Sequence, residues 1–104
     1  MIDNPSLPAD LDERTAAAVA ELFRAFSDTS RVRILSALAG RECNVSELAL
    51  AVGVSESAVS HHLRGLRQMR LVTSRRDGKE VFYRLEDEHI LTLFRQGIRH
   101  VIDG

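Results

Sequence analysis

The spacing of apolar and polar positions predicts a mainly helical chain. From Asp10 to Phe26 the apolar residues recur at helical intervals, and an alanine-rich run within this segment favours helix. A second helix is predicted over residues 31–39 and is closed by Gly40. Between them, residues 27–30 are Ser, Asp, Thr and Ser, which break the pattern and can cap the next helix.

Two further helices are predicted on either side of a turn that contains Gly53. Ser46 is expected to cap a short helix that runs to Val52, and Ser55 to cap a longer one that runs to about Met69. Two helices joined by so short a glycine-containing turn are typical of a helix-turn-helix.

The longer of these two helices divides into an apolar and a polar face. Its spacing places Val59, Leu63 and Leu66 inward. The outward residues are short or polar and lie near the N-terminal end, as a helix in the major groove of DNA requires; with the cap they are Ser55, Ser57, Ser60, His61 and Arg64. Ordinary surface polarity would give the same residues, so this face alone does not decide between the two readings.

A β-hairpin is predicted after the helix-turn-helix. Residues 71–76 and 80–85 are strand-like, and Asp77-Gly78 between them is a strong hairpin signal. A helix-turn-helix followed by a hairpin is a winged helix, so the predicted fold class is α+β, mainly α with one β-hairpin. Near the hairpin tip lie three cations that are expected to contact phosphates: Arg75, Arg76 and Lys79.

The predicted last helix, residues 85–103, carries two pairs of residues of metal-ligating types. Asp87 is close to His89, and His100 is close to Asp103. The two histidines are eleven residues apart, so they share a helix face but lie roughly 16 Å apart along the axis. Because a metal–nitrogen bond is about 2 Å, one helix cannot bring both pairs to one ion. Two antiparallel copies can do so twice by two-fold symmetry, so metal binding at these residues would require a homodimer.

A purely structural role for these residues is the alternative. Asp87 would cap the helix N-terminus, His100 would offset the dipole at the other end, and Asp103 would lie in a frayed terminus.

Length and composition allow one domain, predicted over residues 10–104. Residues 1–9 contain both prolines and no periodicity, so they are predicted to be a mobile arm. Net charge is −1, yet the segment from His61 to Lys79 has six Lys or Arg and one acid. Such a basic stripe favours a nucleic-acid partner. The chain has no apolar run near the roughly 20 residues of a membrane span, no signal-peptide pattern and a single cysteine. We therefore expect a cytoplasmic protein with no membrane partner.

An enzyme is not expected. The sequence shows no nucleophile–base pair and no Gly-rich phosphate loop, and both proposed ligand sets are complete without an open coordination position. No small-molecule substrate is therefore predicted. A winged helix that contacts another protein through its wing is an alternative of a different class.

From about residue 15 to its end, the chain resembles the ArsR/SmtB family of metal-sensing winged-helix repressors. The order of elements matches, and two stretches are specific to the family: Gly53-Val-Ser-Glu-Ser-Ala-Val-Ser-His61 and Leu71-Val-Thr-Ser-Arg-Arg-Asp-Gly-Lys79. The resemblance implies a transcriptional repressor. It also implies a homodimer formed by the first and last helices, which binds double-stranded operator DNA when it is free of metal.

The resemblance also bears on the last helix. The zinc-sensing branch has Asp-x-His at the start of this helix, and His-x-x-His or His-x-x-Glu eleven residues later. Asp87 with His89, and His100 with Asp103, follow that pattern except that aspartate takes the final place. This implies Zn²⁺ as the regulatory ligand, with Ni²⁺ or Co²⁺ as alternatives. A member that binds DNA but answers a non-metal signal is a further alternative.

Two further features of the family concern His100 and Cys43. The resemblance implies that the second ring N–H of His100 donates to a backbone carbonyl near Arg70 and so couples metal binding to DNA binding. The family's second metal site uses cysteines, but aligned on Val45 and Leu48 those positions hold Asn44 and Ser46 here. A thiolate site is therefore not expected, and Cys43 is predicted to be a small packing residue, with redox sensing as the alternative.

Overall fold

A computed structural model of the chain describes residues 10–104. Five helices and one hairpin follow in the predicted order: α1 (Glu13–Ala25), α2 (Thr29–Gly40), α3 (Val45–Val52), α4 (Glu56–Gln68), β1 (Val72–Asp77), β2 (Glu80–Leu85) and α5 (Glu88–Asp103). The predicted mobile arm, residues 1–9, lies outside the described residues. Each predicted element is present, with ends that differ by up to three residues.

The helices begin at capping residues, and one cap differs from the prediction. Ser55 caps α4 as expected, since its hydroxyl accepts from the Ala58 amide at 3.0 Å. The cap of α3 is Asn44 and not Ser46, which lies inside the helix. Asn44 accepts from the Glu47 amide at 2.8 Å, while the Glu47 carboxylate accepts from the Asn44 amide at 2.9 Å. Ser46 could not form this reciprocal pair, because the residue three positions later is alanine.

The core lies where α2, α3 and α4 meet the base of the hairpin. Its largest fully buried side chains come from all of these elements: Ile34, Leu35, Leu48, Val59, Leu63, Leu66, Leu71 and Val72. The predicted inward face of α4 is therefore confirmed. Cys43 is 5% exposed, and burial raises the pKa of its thiol. Cys43 belongs to the cluster of buried core residues, as predicted for a packing residue, and the raised pKa leaves a smaller fraction of its thiol as the reactive thiolate.

The hairpin is anchored to the helix-turn-helix at its base. Strands β1 and β2 are antiparallel, with Val72 opposite Leu85 and Asp77 opposite Glu80. Gly78 in the turn has φ 65°, a left-handed conformation that favours glycine. On the other side of β2, Tyr83 and Cys43 exchange two backbone hydrogen bonds of 3.0 and 2.7 Å. The segment just before α3 therefore pairs with β2 and fixes the base of the wing.

None of the helices in the described part of the chain combines the length and apolarity that crossing a membrane requires.

Candidate DNA interface and metal-ligand pairs

Helix α4 presents the predicted polar face. Ser57, His61 and Arg64 are exposed, and Ser60 is half-buried. Their opposite side is held by the buried Val59, Leu63 and Leu66, so the helix is fixed in rotation about its axis. The exposed side chains lie in the first three turns after the Ser55 cap, at the end of the helix that is suited to contact base edges.

A cleft of about 580 Å³ runs between α4 and β2. Its lining includes Ser60, Arg64, Arg67, Gln68 and Tyr83. Arg67 belongs to the basic stripe between His61 and Lys79 but is not among the predicted contact residues. Its position three residues after Arg64, on the same helix face, is the sequence signal that would have identified it. The cleft therefore adds one cation, Arg67, beside the predicted contact face.

The three predicted cations of the wing are exposed but differ in their surroundings. Arg75 donates from Nε to Glu42 Oε2 at 2.9 Å and from Nη2 to Glu42 Oε1 at 2.7 Å. Its guanidinium also lies 5.0 Å from the centroid of the Phe82 ring. The hydrogen bond from Arg75 holds the pKa of the Glu42 carboxyl below its usual value. Within residues 10–104, Arg76 and Lys79 form no ion pair, so their charges are available to phosphates.

The first predicted metal-ligand pair lies at the start of α5, where Asp87 has a structural role. One carboxylate oxygen accepts from the Ile90 amide at 3.1 Å and so caps the helix. That hydrogen bond, with a smaller contribution from His89, lowers the pKa of Asp87. The His89 Nδ1 lies 3.5 Å from the same carboxylate oxygen. The capping hydrogen bond therefore uses Oδ1 of Asp87 and holds this carboxylate beside the His89 imidazole, which is 95% exposed.

The second pair lies in the last turns of α5. His100 and Asp103 are both exposed, and the Asp103 carboxylate is 3.7 Å from the Arg99 guanidinium. The two pairs stand at opposite ends of a 16-residue helix. Accordingly, no three His, Cys, Asp or Glu side chains within residues 10–104 are grouped closely enough to hold a metal ion. Two imidazoles and two carboxylates are nevertheless a donor set that fits Zn²⁺, provided that two copies contribute one pair each.

An apolar groove of about 730 Å³ lies between α1 and α5, beside the second pair. Its lining includes Phe23, Phe26, Phe94, His100, Val101 and Ile102. Three of these apolar side chains are strongly exposed: Phe23 at 53%, Val101 at 78% and Ile102 at 75%. His100 lines this groove together with Val101 and Ile102, so one residue of the second predicted pair borders the apolar surface.

Sequence comparison identifies relatives of known description. A model of the bacterial regulatory proteins of the arsR family matches residues 28–74. The chain is 51% identical over 86 residues to the transcriptional repressor SmtB homolog of Synechocystis sp. and 48% identical over 86 residues to the transcriptional regulator KmtR of Mycobacterium tuberculosis. Each match covers 83% of this chain, and the chain spans 65% and 66% of the length of these relatives. It is also 41% identical over 98 residues to the regulator NmtR of M. tuberculosis, covering 94% of this chain and 80% of that protein.

Solved structures with the same fold include DNA-binding proteins. A winged helix-turn-helix DNA-binding domain from Mycobacterium bovis, described as homodimeric, superposes with a TM-score of 0.78 at 32% identity. That match covers 92% of this chain and 91% of the other. The antimony-specific transcriptional repressor AntR superposes with a TM-score of 0.81 at 31% identity, covering 96% and 93% of the two chains. These matches confirm the predicted winged helix-turn-helix.

Proposed function

The chain belongs to the arsR family of bacterial regulatory proteins, and we propose that it is a metal-responsive transcriptional repressor that binds operator DNA as a homodimer. The family consists of transcriptional regulators and not of enzymes, in agreement with the sequence. Because bacterial operators lie in the cytoplasm, the proposed function places the protein there.

The proposed DNA interface consists of the exposed side of α4 and the tip of the wing. Ser57, Ser60 and His61 would meet base edges from the N-terminal part of α4, where side chains reach furthest into the major groove. Ser55 would lie near the DNA backbone and not reach base edges, since its hydroxyl already caps the helix. The cations that would neutralise phosphates flank this face and include Arg64, Arg76 and Lys79. Affinity should therefore fall steeply with salt.

The proposed dimer interface is the apolar face of α1 and α5. Phe23, Val101 and Ile102 are all more than half exposed in one protomer, and burying such side chains typically contributes about 1.5–3 kcal/mol each. A second copy of the chain is the occupant that also completes both ligand pairs by two-fold symmetry. The observation that carries the metal proposal is this coincidence: the exposed apolar groove is lined by His100, which with Asp103 forms one half of an incomplete ligand set.

In the proposed site, Asp87 and His89 of one protomer combine with His100 and Asp103 of the other. A bound ion would cross-link the two α5 helices. Zn²⁺ is the first choice because it accepts four N and O ligands tetrahedrally. Ni²⁺ and Co²⁺ are the alternatives. Asp103 is shorter than the glutamate that can take this place in the zinc-sensing pattern, which bears on the choice of metal. The relatives also differ in their descriptions, and one is a homolog of a cadmium resistance regulatory protein.

We expect the bridged dimer to hold its two α4 helices at a spacing that fits DNA poorly. His100 would provide the link, because its second ring N–H can bond a backbone carbonyl near Arg70, at the turn between α4 and β1. Arg70 has φ 60°, a left-handed conformation that turns the chain sharply at this point. Coupling of about 1–3 kcal/mol, typical of allosteric pairs, would weaken DNA binding by about 5–150-fold.

The test is a metal titration of chelator-treated protein bound to its own upstream DNA, followed by fluorescence anisotropy. We expect Zn²⁺ to release the DNA at about one ion per chain, with Ni²⁺ and Co²⁺ titrated in parallel to rank the metals. His100→Asn should leave DNA binding intact but abolish the release. Tight DNA binding that no metal changes would reject the metal proposal and favour a non-metal signal. Failure to bind DNA even at low salt would favour a protein-interaction winged helix.

A further inference from the structure

The wing is held against the segment before α3 at three points. At its base, the backbone of Tyr83 pairs with that of Cys43. Nearer the tip, the Asn44 side-chain amide donates to the Glu80 carboxylate at 3.3 Å. Between them, Arg75 reaches Glu42 with two hydrogen bonds. The wing and the helix-turn-helix are therefore joined by side chains as well as by the backbone.

The Arg75 contact is the most specific of these. Arg75 and Phe82 are opposite each other in the register of the hairpin, and the guanidinium lies over the Phe82 ring, 5.0 Å from its centroid. It reaches Glu42, which precedes the residue that pairs with β2. The two hydrogen bonds, at 2.9 and 2.7 Å, have the bidentate geometry that fixes the orientation of both groups.

This arrangement separates Arg75 from its neighbour. Consecutive strand residues point to opposite faces of a sheet, and Arg76 accordingly lacks the ion pair that Arg75 forms within the described range 10–104. The charge of Arg75 is balanced by Glu42, and Asp77 lies 3.9 Å from another of its nitrogens. A phosphate at Arg75 would have to displace one carboxylate and approach another.

We propose that Arg75 is a positioning residue that, with Glu42, sets the orientation of the wing relative to α3 and α4, while Arg76 and Lys79 supply the phosphate contacts of the wing. This changes the role that the sequence predicted for Arg75. The proposal rests on the proposed DNA binding, but the contact between Glu42 and Arg75 can also be tested without DNA.

Replacing Glu42 distinguishes the two roles because they predict opposite effects. If Arg75 bound a phosphate, Glu42→Gln would release the guanidinium and remove a nearby negative charge, so DNA would bind more tightly. If Arg75 positions the wing, Glu42→Gln loosens the wing and DNA binds less tightly. Arg75→Lys adds a second distinction: it keeps the charge but loses the bidentate geometry. A lysine would preserve a phosphate contact but not the positioning contact.

The first experiment measures operator affinity of the full chain by fluorescence anisotropy at several salt concentrations. We expect Glu42→Gln, Arg75→Ala, Arg75→Lys and the double variant Glu42→Gln/Arg75→Ala to weaken binding several-fold, by the same factor. Their dependence on salt should equal that of the wild type. Arg76→Ala, the matched control, should reduce the slope of log affinity against log salt by about one. Tighter binding by Glu42→Gln, or a slope reduced by about one in Arg75→Ala, would overturn the proposal.

The second experiment measures amide hydrogen exchange in the free protein. Glu42→Gln and Arg75→Ala should speed exchange in β1 and β2 but not in the buried turn of α2 around Leu35, and Arg76→Ala should change neither. Unchanged exchange in the hairpin of both variants would refute the positioning role. If the wild type bound no DNA, the proposed function would fail, and this exchange measurement would still decide whether Glu42 and Arg75 hold the wing.

Discussion

The two ligand pairs proposed on α5 lead to a prediction about mixed dimers. Asp87→Asn/His89→Ala removes the first pair, and His100→Ala/Asp103→Ala removes the second. If each metal site combines the first pair of one protomer with the second pair of its partner, neither homodimer retains a complete site. A heterodimer of the two variants places both intact pairs at one site and both damaged pairs at the other.

The expected magnitude follows from the geometry of α5. The helix has 16 residues, about 24 Å of axis, and separates His89 from His100 by roughly 16 Å. Metal–nitrogen bonds are about 2 Å, so no rearrangement within an intact helix brings the pairs together. We therefore expect two ions per wild-type dimer, one per heterodimer and none per homodimer of either variant. Asparagine is chosen at position 87 because it caps helices about as well as aspartate, so α5 stays folded.

The assay uses co-expression with two affinity tags, tandem purification of the heterodimer and metal counting after dialysis against a buffered Zn²⁺ concentration. The tetrahedral Co²⁺ absorption of each species gives an independent count. His61→Ala, which removes an exposed imidazole from α4, is the control and should bind two ions per dimer. A tightly bound ion in either variant homodimer, or none in the heterodimer, would refute the assignment of ligands across the interface.

The remaining predictions concern the dimer, the core, acid stability and base readout. Val101→Asp should convert the dimer to a monomer in sedimentation velocity, whereas Leu50→Asp, at a still more exposed apolar residue on α3, should not. Leu66→Ala should lower the free energy of unfolding in urea by about 2–5 kcal/mol, because this fully buried side chain would leave a cavity; a loss under 1 kcal/mol would contradict the packing. The hydrogen bond from the Asn44 amide lowers the pKa of Glu47 below its ordinary 4.5, so its stabilisation is present above that pH and is lost as pH falls through the lower folded value. The urea midpoints of the wild type and Glu47→Gln should therefore converge as the pH falls. A constant difference between the two midpoints at every pH would contradict the prediction. His61→Ala should weaken binding to operator more than to scrambled DNA, and equal losses would remove it from base readout.

Most of the fold could be predicted because its signals are local. Apolar periodicity, the Ser55 cap, the glycine turn at Gly53 and the Asp77-Gly78 hairpin each act within a few residues, and all are present in the structure. The α3 cap was misplaced because two candidate caps stood two positions apart. The reciprocal hydrogen bonds of Asn44 and Glu47 favour the earlier one.

Local sequence was enough to predict the order of elements, the inward face of α4 and the distance between the two proposed ligand pairs, since helix geometry converts sequence spacing directly into angle and length. The surroundings of those residues depend on the tertiary structure. Arg75 and Glu42 are 33 positions apart. Strand alternation places Arg75 and Arg76 on opposite faces, but it does not show which of the two faces meets Glu42. The apolar surface beside His100 likewise exists only once α1 packs near α5. Contacts between distant segments depend on how the elements pack, and that packing assigns different roles to residues that look alike in the sequence.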